Sequence, residues 1–374
     1  MQTEIIASIL DVPEADWDAI NYDNNPFTSH AFLAALEEAG CVGDGTGWLP
    51  RYLLLRDDRR LLAALPMYAK THSWGEYVFD WAWADAWQRY GMQYYPKLIV
   101  AIPFSPVTGR RLLMAPGEDM SAALIDAART YANTTDASSL HWLFPTKAEC
   151  HTLQNTGMQI RHAVQFHWQN QHYTDFADFL STMTSRKRKK ILRERRRAIE
   201  QDLEFELISG DQISPEHMEL MYDFYLRTIH THGSQAYLKR RFFELLGQRL
   251  ARHVVLIFAL HEGSFVAGAL NIRGEDCLYG RYWGCSEEYD SLHFETCYYQ
   301  AIDYCIREGI QRFEGGAQGE HKLSRGFLPH ITCSAHWMKE NLLSDSITDF
   351  LEREKVHVAH YRDLLNEHSP YKSD

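Results

Sequence analysis

The chain has 374 residues, 45% of them hydrophobic and 13% aromatic, and its formal net charge is −12. The length predicts two to three domains at about 150 residues each, and the hydrophobic content is enough for a sizeable core. The negative charge argues against a nucleic-acid-binding surface over the whole molecule and restricts any such contact to a local patch.

Hydrophobic patterns in the N-terminal half predict alternating strands and helices. Strands are expected at residues 4–10, 52–56, 61–71, 77–83, 112–114 and 139–144. Helices are expected at residues 29–39, 95–102 and 121–132. In a strand at 77–83, Phe79, Trp81 and Trp83 would share one face and Asp80 the other. The tryptophans would then be core residues.

Two acidic residues in this aromatic run are candidates for a functional role. Asp80 and Asp85 are costly to bury without partners. We expect them either to bind an amine-bearing acceptor substrate or to pair with Arg110 or Arg111.

A strongly basic segment follows and is predicted to form one helix, residues 171–200, linking an N-terminal domain (1–170) to a C-terminal domain (201–374). Nine basic residues and one acid lie between Arg186 and Arg197. A solvated face is the usual role of such a run. In an acidic chain it equally favours contact with a polyanion: tRNA, a nucleotide-linked sugar precursor or an anionic membrane. The contact residues would be Arg186, Lys189, Arg193, Arg196 and Arg197.

The C-terminal half has the clearer pattern. A strand is expected at 203–208, a helix from Ser214-Pro215 to Gly233, and a second helix at 237–250. Apolar segments beginning at Val254, Phe265 and Cys277 are separated by short polar turns and predict an antiparallel meander. A helix at 291–308, a strand at 311–314 and a last strand at 333–338 complete the order.

The stretch F-E-G-G-A-Q-G-E-H-K-L-S-R-G-F-L-P, from Phe313, is a glycine-rich loop with many reactive groups. Its glycines allow positive φ and close approach of a ligand. Glu320 and His321 could accept a proton from an attacking amine. Lys322 and Arg325 could bind phosphate or carboxylate, and Gln318 is a further substrate-binding candidate. The alternative is a turn and helix cap with surface charges.

The seven cysteines are scattered, and no C-x-x-C motif is present. This argues against a disulfide framework or zinc cluster and fits a reducing cytoplasm. The histidines do not show the spacing of a metal site, so we expect no metal. No window approaches the ~18 apolar residues of a membrane span, and the N-terminus lacks the basic region of a signal peptide. We therefore expect a cytoplasmic protein.

The element order β-α-α-β-β-β-α-β resembles the GNAT acyltransferase fold, a mixed α/β sheet. Two such domains in tandem resemble the Fem-type peptidoglycan aminoacyltransferases. More narrowly, the chain resembles the bacterial Fem-like predicted N-acyltransferases, labelled for peptidoglycan biosynthesis or recognition. Stretches that carry the resemblance include F-D-W-A-W-A-D-A, P-F-S-P-V-T-G, S-R-K-R-K-K-I-L-R-E-R-R, G-R-Y-W-G-C, L-H-F-E-T-C-Y-Y-Q and G-A-Q-G-E-H-K.

The resemblance implies a place for the acyl donor. In a GNAT domain the donor carbonyl lies in a gap beside the central strand, which puts Arg281, Tyr282 and Trp283 at the reaction centre. Glu295, on the following helix, would be either an acid of the site or a structural partner. The phosphate-binding signature for coenzyme A is replaced by C-S-E-E-Y-D-S-L-H-F, whose acids would repel a pyrophosphate.

The functional expectation is an N-acyltransferase without a permanently bound cofactor. Its donor would be a co-substrate, aminoacyl-tRNA in preference to acyl-CoA, and its acceptor an amine, for example on a cell-wall precursor. Two alternatives stay open. One is a non-catalytic protein that recognises a cell-wall fragment or nucleic acid, and the other is an acetyl-CoA-dependent N-acetyltransferase of small molecules.

Overall fold

The computed structural model describes residues 1–21, 23–317, 319–339 and 344–372. The chain divides into two compact units, Met1–Ala163 with Ile331–His360, and Val164–His330 with Tyr361–Asp374. The predicted domains were 1–170 and 201–374. The observed division instead gives residues 331–360 to the first unit and residues 171–200 to the second.

The strands in chain order are β1 (Gln2–Ile6), β2 (Trp48–Pro50), β3 (Tyr52–Asp57), β4 (Arg60–Leu65), β5 (Met67–Lys70), β6 (Lys97–Val100), β7 (Leu113–Met114), β8 (Ser139–Leu143), β9 (Gln159–Gln169), β10 (Leu203–Ser209), β11 (Val254–His261), β12 (Ser264–Arg273), β13 (Cys277–Cys285), β14 (Arg312–Glu314) and β15 (Leu328–Met338). Most of the predicted strands are present. Residues 4–10 are an exception, because β1 ends at Ile6 and a 3₁₀ turn follows at Ile9–Asp11.

The helices are α1 (Glu14–Ile20), α2 (His30–Glu38), α3 (Trp81–Arg89), α4 (Ser121–Thr134), α5 (Lys147–Asn155), α6 (Phe176–Ser181), α7 (Ser185–Glu200), α8 (Pro215–Thr231), α9 (Arg240–Arg249), α10 (Leu292–Phe294), α11 (Gln300–Arg307) and α12 (Ser344–Glu367). A π-helical turn, Glu295–Tyr299, joins α10 to α11. In the described ranges, no helix is long and apolar enough to cross a bilayer.

The first unit contains two sheets. One has the order β1-β3-β4-β7 and is antiparallel. In the other, β6 pairs in parallel with β8, while β5 and β2 extend it on one side and β15 on the other. The predicted strand at 61–71 is split between the two sheets at Pro66. Proline has no N–H to donate to a ladder, so the chain changes sheets there.

Two predictions in this unit are wrong. The expected strand at 77–83 is not formed: residues 77–80 have no regular structure and helix α3 begins at Trp81. In this helix Trp83 and Trp87 are buried four residues apart, while Trp81 is 39% exposed. The expected helix at 95–102 is strand β6, with all four of its residues buried. A parallel strand covered on both faces has no polar alternation and resembles a buried helix in sequence.

The second unit has one sheet with the order β10-β11-β12-β13-β14-β9, in which only β13 and β14 run in parallel. Helices α10 and α11 with the π turn between them pack on one face of this sheet, in a core that includes Leu278, Phe313, Tyr299 and Ile302. Helix α8 packs on β13 so closely that a Cβ at Gly284 would lie 1.8 Å from the carbonyl oxygen of Phe224.

The predicted single helix at 171–200 is two helices, α6 and α7. The chain between them is held by the C-terminal segment, because Met183 pairs with Tyr371 and the Lys372 N–H donates to the carbonyl of Thr182. The Thr184 N–H likewise donates to the carbonyl of Pro370. These backbone bonds are incompatible with continuous helical bonding, so the prediction of one linking helix is wrong.

Candidate active site

Strands β13 and β14 pair only over a short distance and then separate. Their parallel register covers Cys277–Tyr279 against Arg312–Glu314, after which β13 continues alone on that side. On its other side β13 has a bulge, since the register with β12 changes between Leu270↔Tyr282 and Asn271↔Gly280 and leaves Arg281 as the extra residue. Bulges and strand ends interrupt a ladder and often mark functional sites.

A cavity of about 160 Å³ occupies this opening. Its walls come from β12, β13, the helix that follows β13 and the glycine-rich loop. The lining residues are Ala269, Leu270, Asn271, Gly280, Arg281, Tyr282, Trp283, His293, Cys297, Tyr298, Phe313, Gly315 and Gly316. The cavity is therefore lined by the three β13 residues predicted for substrate binding, Arg281, Tyr282 and Trp283.

These three β13 residues have different surroundings. The side chain of Tyr282 packs against Tyr225 and Phe243 on the α8–α9 side. The ring of Trp283 lies 5.1 Å from that of His293, and its carbonyl accepts from Thr228.

The π turn brings three polar side chains of one helix to the cavity. His293 and Tyr298 are five residues apart, and their rings lie 5.4 Å from each other. An i→i+5 turn widens the helix, so residues five apart come onto one face, and such turns are frequent at functional sites. Cys297 completes this face of the cavity.

The side chains of His293, Cys297 and Tyr298 are uncharged at neutral pH. Burial, with the nearby His321 and Arg325, lowers the pKa of His293 to about 4. Burial also raises the pKa of the Cys297 thiol and of the Tyr298 phenol. The cavity therefore offers hydrogen-bonding groups in their neutral forms.

The glycine-rich loop forms the opposite rim. Gly316 has φ +89° and Gly319 has φ +113°, conformations that side-chain-bearing residues rarely adopt. The buried Lys322 ammonium donates to the Gly316 carbonyl at 3.1 Å. Burial lowers the pKa of Lys322 to about 8. Lys322 thus supports the loop backbone, while Gln318 lies outside the described residues.

His321 is exposed and lies beside the cavity. Its Nε2 is 3.0 Å from the hydroxyl of Tyr298, which lines the cavity. Burial of the ring, together with Lys322 and Arg325, lowers the pKa of His321. Glu320, the other predicted proton acceptor, lies at the surface, and its carboxylate accepts a hydrogen bond from the Tyr361 hydroxyl.

Arg325 is buried inside the loop and has a structural environment. Its guanidinium donates to Glu194 at 2.9 Å and to the His321 carbonyl at 2.7 Å. It also lies 3.3 Å from the centre of the Phe294 ring. These contacts leave the loop fastened to helix α7 and to the helix that follows β13.

Glu295 is also buried and occupied. Its Oε1 lies 3.0 Å from Arg195 and accepts from Gln300 at 2.8 Å. Burial raises the pKa of this carboxyl, against the influence of Arg195. Glu295 is not among the cavity-lining residues, so the geometry matches the structural alternative that the sequence left open.

Helix α7 presents the predicted basic face. Arg186, Lys189, Arg193, Arg196 and Arg197 are all exposed, and Arg197 forms an ion pair with Asp290 at 2.6 Å. A concave region of about 470 Å³ along this helix is lined by Arg186, Lys187, Lys189, Lys190 and Arg193. Lys190 reaches Ser324 of the glycine-rich loop at 3.5 Å, so the basic face adjoins that loop.

In the first unit, the structure places Asp80 in a buried ionic cluster. Asp80 pairs with Lys97 and accepts from Tyr94 at 2.6 Å, and Lys97 also binds Glu76 at 2.8 Å. Asp80 therefore pairs with Lys97 and not with Arg110 or Arg111. Asp85 is exposed on helix α3. Of the two aspartates that were candidates for substrate binding, Asp80 is therefore buried and Asp85 is exposed.

The pKa values of the titratable groups in this cluster are shifted from their usual values. Burial raises the pKa of Glu76 to about 7 and lowers the pKa of Lys70 to about 7. Burial alone would raise the pKa of Asp80, but Lys97 outweighs it and holds that pKa below the usual value. The pKa of Lys97 is raised, since its two carboxylates outweigh burial.

The parallel pair of the first unit does not open as β13 and β14 do. Past the β6–β8 ladder, the carbonyls of Leu143 and Phe144 accept from Arg111 Nε at 3.0 Å and from the Gly109 N–H at 3.1 Å. Arg111 is fully buried. The place beside the end of β8 is therefore filled by residues 109–111.

The sequence prediction did not name His293, Cys297 or Tyr298 as catalytic or substrate-binding residues. The available signal was their position, since they begin the helix after the central strand, where the first turns face the strand end. The π turn, which brings His293 into line with Tyr298, leaves no recognisable mark in the sequence.

Comparisons with known proteins identify a family and a shared fold. The profile of a family described as FemAB-like, peptidoglycan biosynthesis/recognition, matches residues 8–373. The structure of FemX is similar, with a TM-score of 0.56, 12% identity and coverage of 93% of this chain and 100% of that one.

Two further structures show the same fold. L-PGS from Bacillus licheniformis has a TM-score of 0.53 at 12% identity, over 87% of this chain and 96% of that one. A conserved protein of unknown function from Bacteroides thetaiotaomicron has a TM-score of 0.53 at 11% identity, over 90% of this chain and 99% of that one. No curated protein matches the sequence.

Proposed function

The chain belongs to the FemAB-like family of peptidoglycan biosynthesis or recognition, and from this premise we propose that it is an N-acyltransferase. It moves an acyl or aminoacyl group from a carrier to an amine, with a cell-wall precursor as the acceptor. The acyl donor is a co-substrate, and no cofactor is bound permanently.

The observation that carries this proposal is the opening between β13 and β14. A polar cavity of about 160 Å³ lies there, next to a bulge in β13, and the helix that borders it contributes uncharged side chains. Backbone N–H groups beside such an opening can stabilise the oxyanion of a tetrahedral intermediate. The filled position in the first unit supports the second unit as the place of the donor.

The chemistry requires one proton transfer. The amine nitrogen bonds to the carbonyl carbon, the carbon–oxygen bond to the carrier breaks, and a proton passes from the amine to the leaving oxygen. Tyr298 and His321 form a hydrogen-bonded pair at the cavity wall that can carry this proton. The lowered pKa of His321 keeps the imidazole neutral at pH 7 and able to accept it.

The basic face of α7 favours a polyanionic carrier. It adjoins the glycine-rich loop through Lys190 and Ser324, so phosphates bound on α7 would belong to a molecule that also reaches the cavity. Glu287, Glu288 and Asp290 are exposed in the turn before α10, where a pyrophosphate would otherwise bind. This combination favours aminoacyl-tRNA over acyl-CoA.

Transfer of a labelled group tests the proposal. The protein is incubated with bulk tRNA charged with ¹⁴C-amino acids or, separately, with ¹⁴C-acetyl-CoA, and with UDP-N-acetylmuramoyl-pentapeptide as the acceptor. We expect label to move from the RNA to the acceptor. Transfer from acetyl-CoA alone would overturn the choice of carrier.

Hydrogen exchange supplies a readout that does not depend on turnover. Charged tRNA should protect amides in residues 281–294 and 314–325, because these segments surround the cavity and its rim. Protection confined to residues 1–150 would contradict a donor site in the second unit. Absence of both protection and transfer would argue for a non-catalytic recognition protein.

Charge reversal on α7 should weaken RNA binding. We expect the triple change Arg186→Glu, Lys189→Glu and Arg193→Glu to lower the affinity for tRNA by at least 10-fold at about 50 mM salt and to flatten its salt dependence. Electrophoretic mobility shifts at several salt concentrations would measure both effects.

The matched control reverses three exposed arginines of the first unit, Arg59, Arg89 and Arg353, and changes the net charge equally. It should leave RNA binding close to that of the unchanged protein. Equal losses in both variants would mean that only the total charge matters and that α7 is a solvated face.

A further inference from the structure

The first unit brings together two cysteines that are distant in sequence. Strand β8 pairs with β15 through Leu143 and Ser334, and helix α5 begins only a few residues after β8. Leu153 of α5 and Ala335 of β15 pack in the same core, and Cys150 precedes Leu153 by one helical turn while Cys333 precedes Ala335 on the same face of β15. A capping box between Thr146 and Glu149 fixes the start of this helix.

The two cysteines are neighbours in the fold and are partly accessible. The sulfur of Cys333 lies 3.9 Å from the carbonyl oxygen of Pro145, five residues before Cys150. Both side chains are partly exposed, whereas Cys41, Cys277 and Cys305 are buried. A small oxidant can thus reach this pair.

The two thiols differ in their ionisation. The neighbouring Cys333 lowers the pKa of Cys150, whereas Cys150 and burial raise the pKa of Cys333. Cys150 also lies near the N-terminus of α5, where the helix dipole favours an anion. Cys150 is therefore the thiol that ionises first and reacts as the nucleophile.

We propose that Cys150 and Cys333 form a reversible disulfide site that responds to peroxide. The Cys150 thiolate attacks one oxygen of hydrogen peroxide, the O–O bond breaks, and the released hydroxide takes up a proton to leave as water. The product is a sulfenic acid. Cys333 then attacks its sulfur, the S–O bond breaks, and the oxygen departs as a second water.

Two electrons from the two thiols reduce one peroxide to two waters, and a small thiol reverses the reaction by exchange. Reversible disulfides of this kind are the usual form in reducing compartments. The bond would tie α5 to β15 and close a long loop of the chain, which restricts the unfolded state. The oxidised protein should therefore unfold at a temperature several degrees higher.

Peptide mapping of the full-length protein tests the site. The native protein is treated with stoichiometric hydrogen peroxide, alkylated in denaturant and digested, with free thiols counted in parallel. We expect two of the seven thiols to be lost, a linked pair of peptides containing Cys150 and Cys333, and recovery of both thiols with dithiothreitol.

The variants Cys150→Ser and Cys333→Ser should each abolish the linked peptides and the rise in unfolding temperature. Cys285→Ser, at a partly exposed cysteine of the second unit, is the matched control and should preserve both. Over-oxidation of Cys150 without linkage, or loss of two thiols in the Cys333→Ser variant, would overturn the proposal.

Discussion

The His321→Ala variant should transfer acyl groups about 10²–10⁴-fold more slowly than the unchanged protein, as expected for loss of a proton-transfer group. The imidazole is exposed, so its removal should cost little stability, typically below about 0.5 kcal/mol. Its hydroxyl partner Tyr298 faces the cavity, which links the exposed histidine to the reacting amine. The measurements are the label-transfer rate and the unfolding temperature.

Two further variants separate catalysis from loop structure. Tyr298→Phe should give a comparable loss, and the double variant should be no worse than either single one, because paired residues act as a unit. Glu320→Gln, which affects the contact with Tyr361 and not with His321, should keep nearly full activity. Full activity in His321→Ala would remove the pair from the mechanism, and an unfolded His321→Ala protein would make the residue structural.

The Lys97→Met variant should lose about 3–5 kcal/mol of unfolding free energy, enough to unfold many proteins. Lys97 is fully buried and contacts both Glu76 and Asp80. Without the Lys97 ammonium, the buried carboxylates of Glu76 and Asp80 lose the positive charge that both of them contact. Urea titration followed by tryptophan fluorescence would measure the loss.

The control removes the carboxylate charges as well. The triple variant Lys97→Met, Glu76→Gln, Asp80→Asn should recover much of the lost stability, because a neutral cluster has no uncompensated charge to desolvate. If the triple variant were less stable than Lys97→Met, hydrogen bonding rather than charge would dominate this cluster. If Lys97→Met cost less than about 1 kcal/mol, water must reach the site.

The meander of the second unit was predictable because its segments are local and bounded by clear turns. Strands β11, β12 and β13 follow one another with short loops, and each is a continuous apolar run. The first unit was harder to predict. Trp81 and Trp83 have the spacing of a strand, whereas Trp83 and Trp87 have the spacing of a helix. Only the burial of Trp83 and Trp87 in the folded unit decides between the two.

The candidate site was predictable as segments but not as contacts. The glycine-rich loop and β13 stood out by composition, and both border the cavity. The ion-pair partners could not be predicted from the sequence, because the fold alone brings Arg325 to Glu194 and Lys97 to Glu76. Charged residues such as Arg325 and Glu295 therefore looked available for substrate, although each is buried and paired with an opposite charge.

The bulge at Arg281 also inverts the phase of β13. Before it, Leu278 and Gly280 face the α10–α11 side, whereas after it Gly284 faces α8, against the carbonyl of Phe224. Deleting Arg281 would remove the extra residue, restore regular alternation along β13 and leave Gly284 facing that carbonyl. A one-residue insertion between Arg281 and Trp283 would instead bring Trp283 to that position, where a Cβ has no room. The strand can therefore lose a residue at this point more easily than it can gain one.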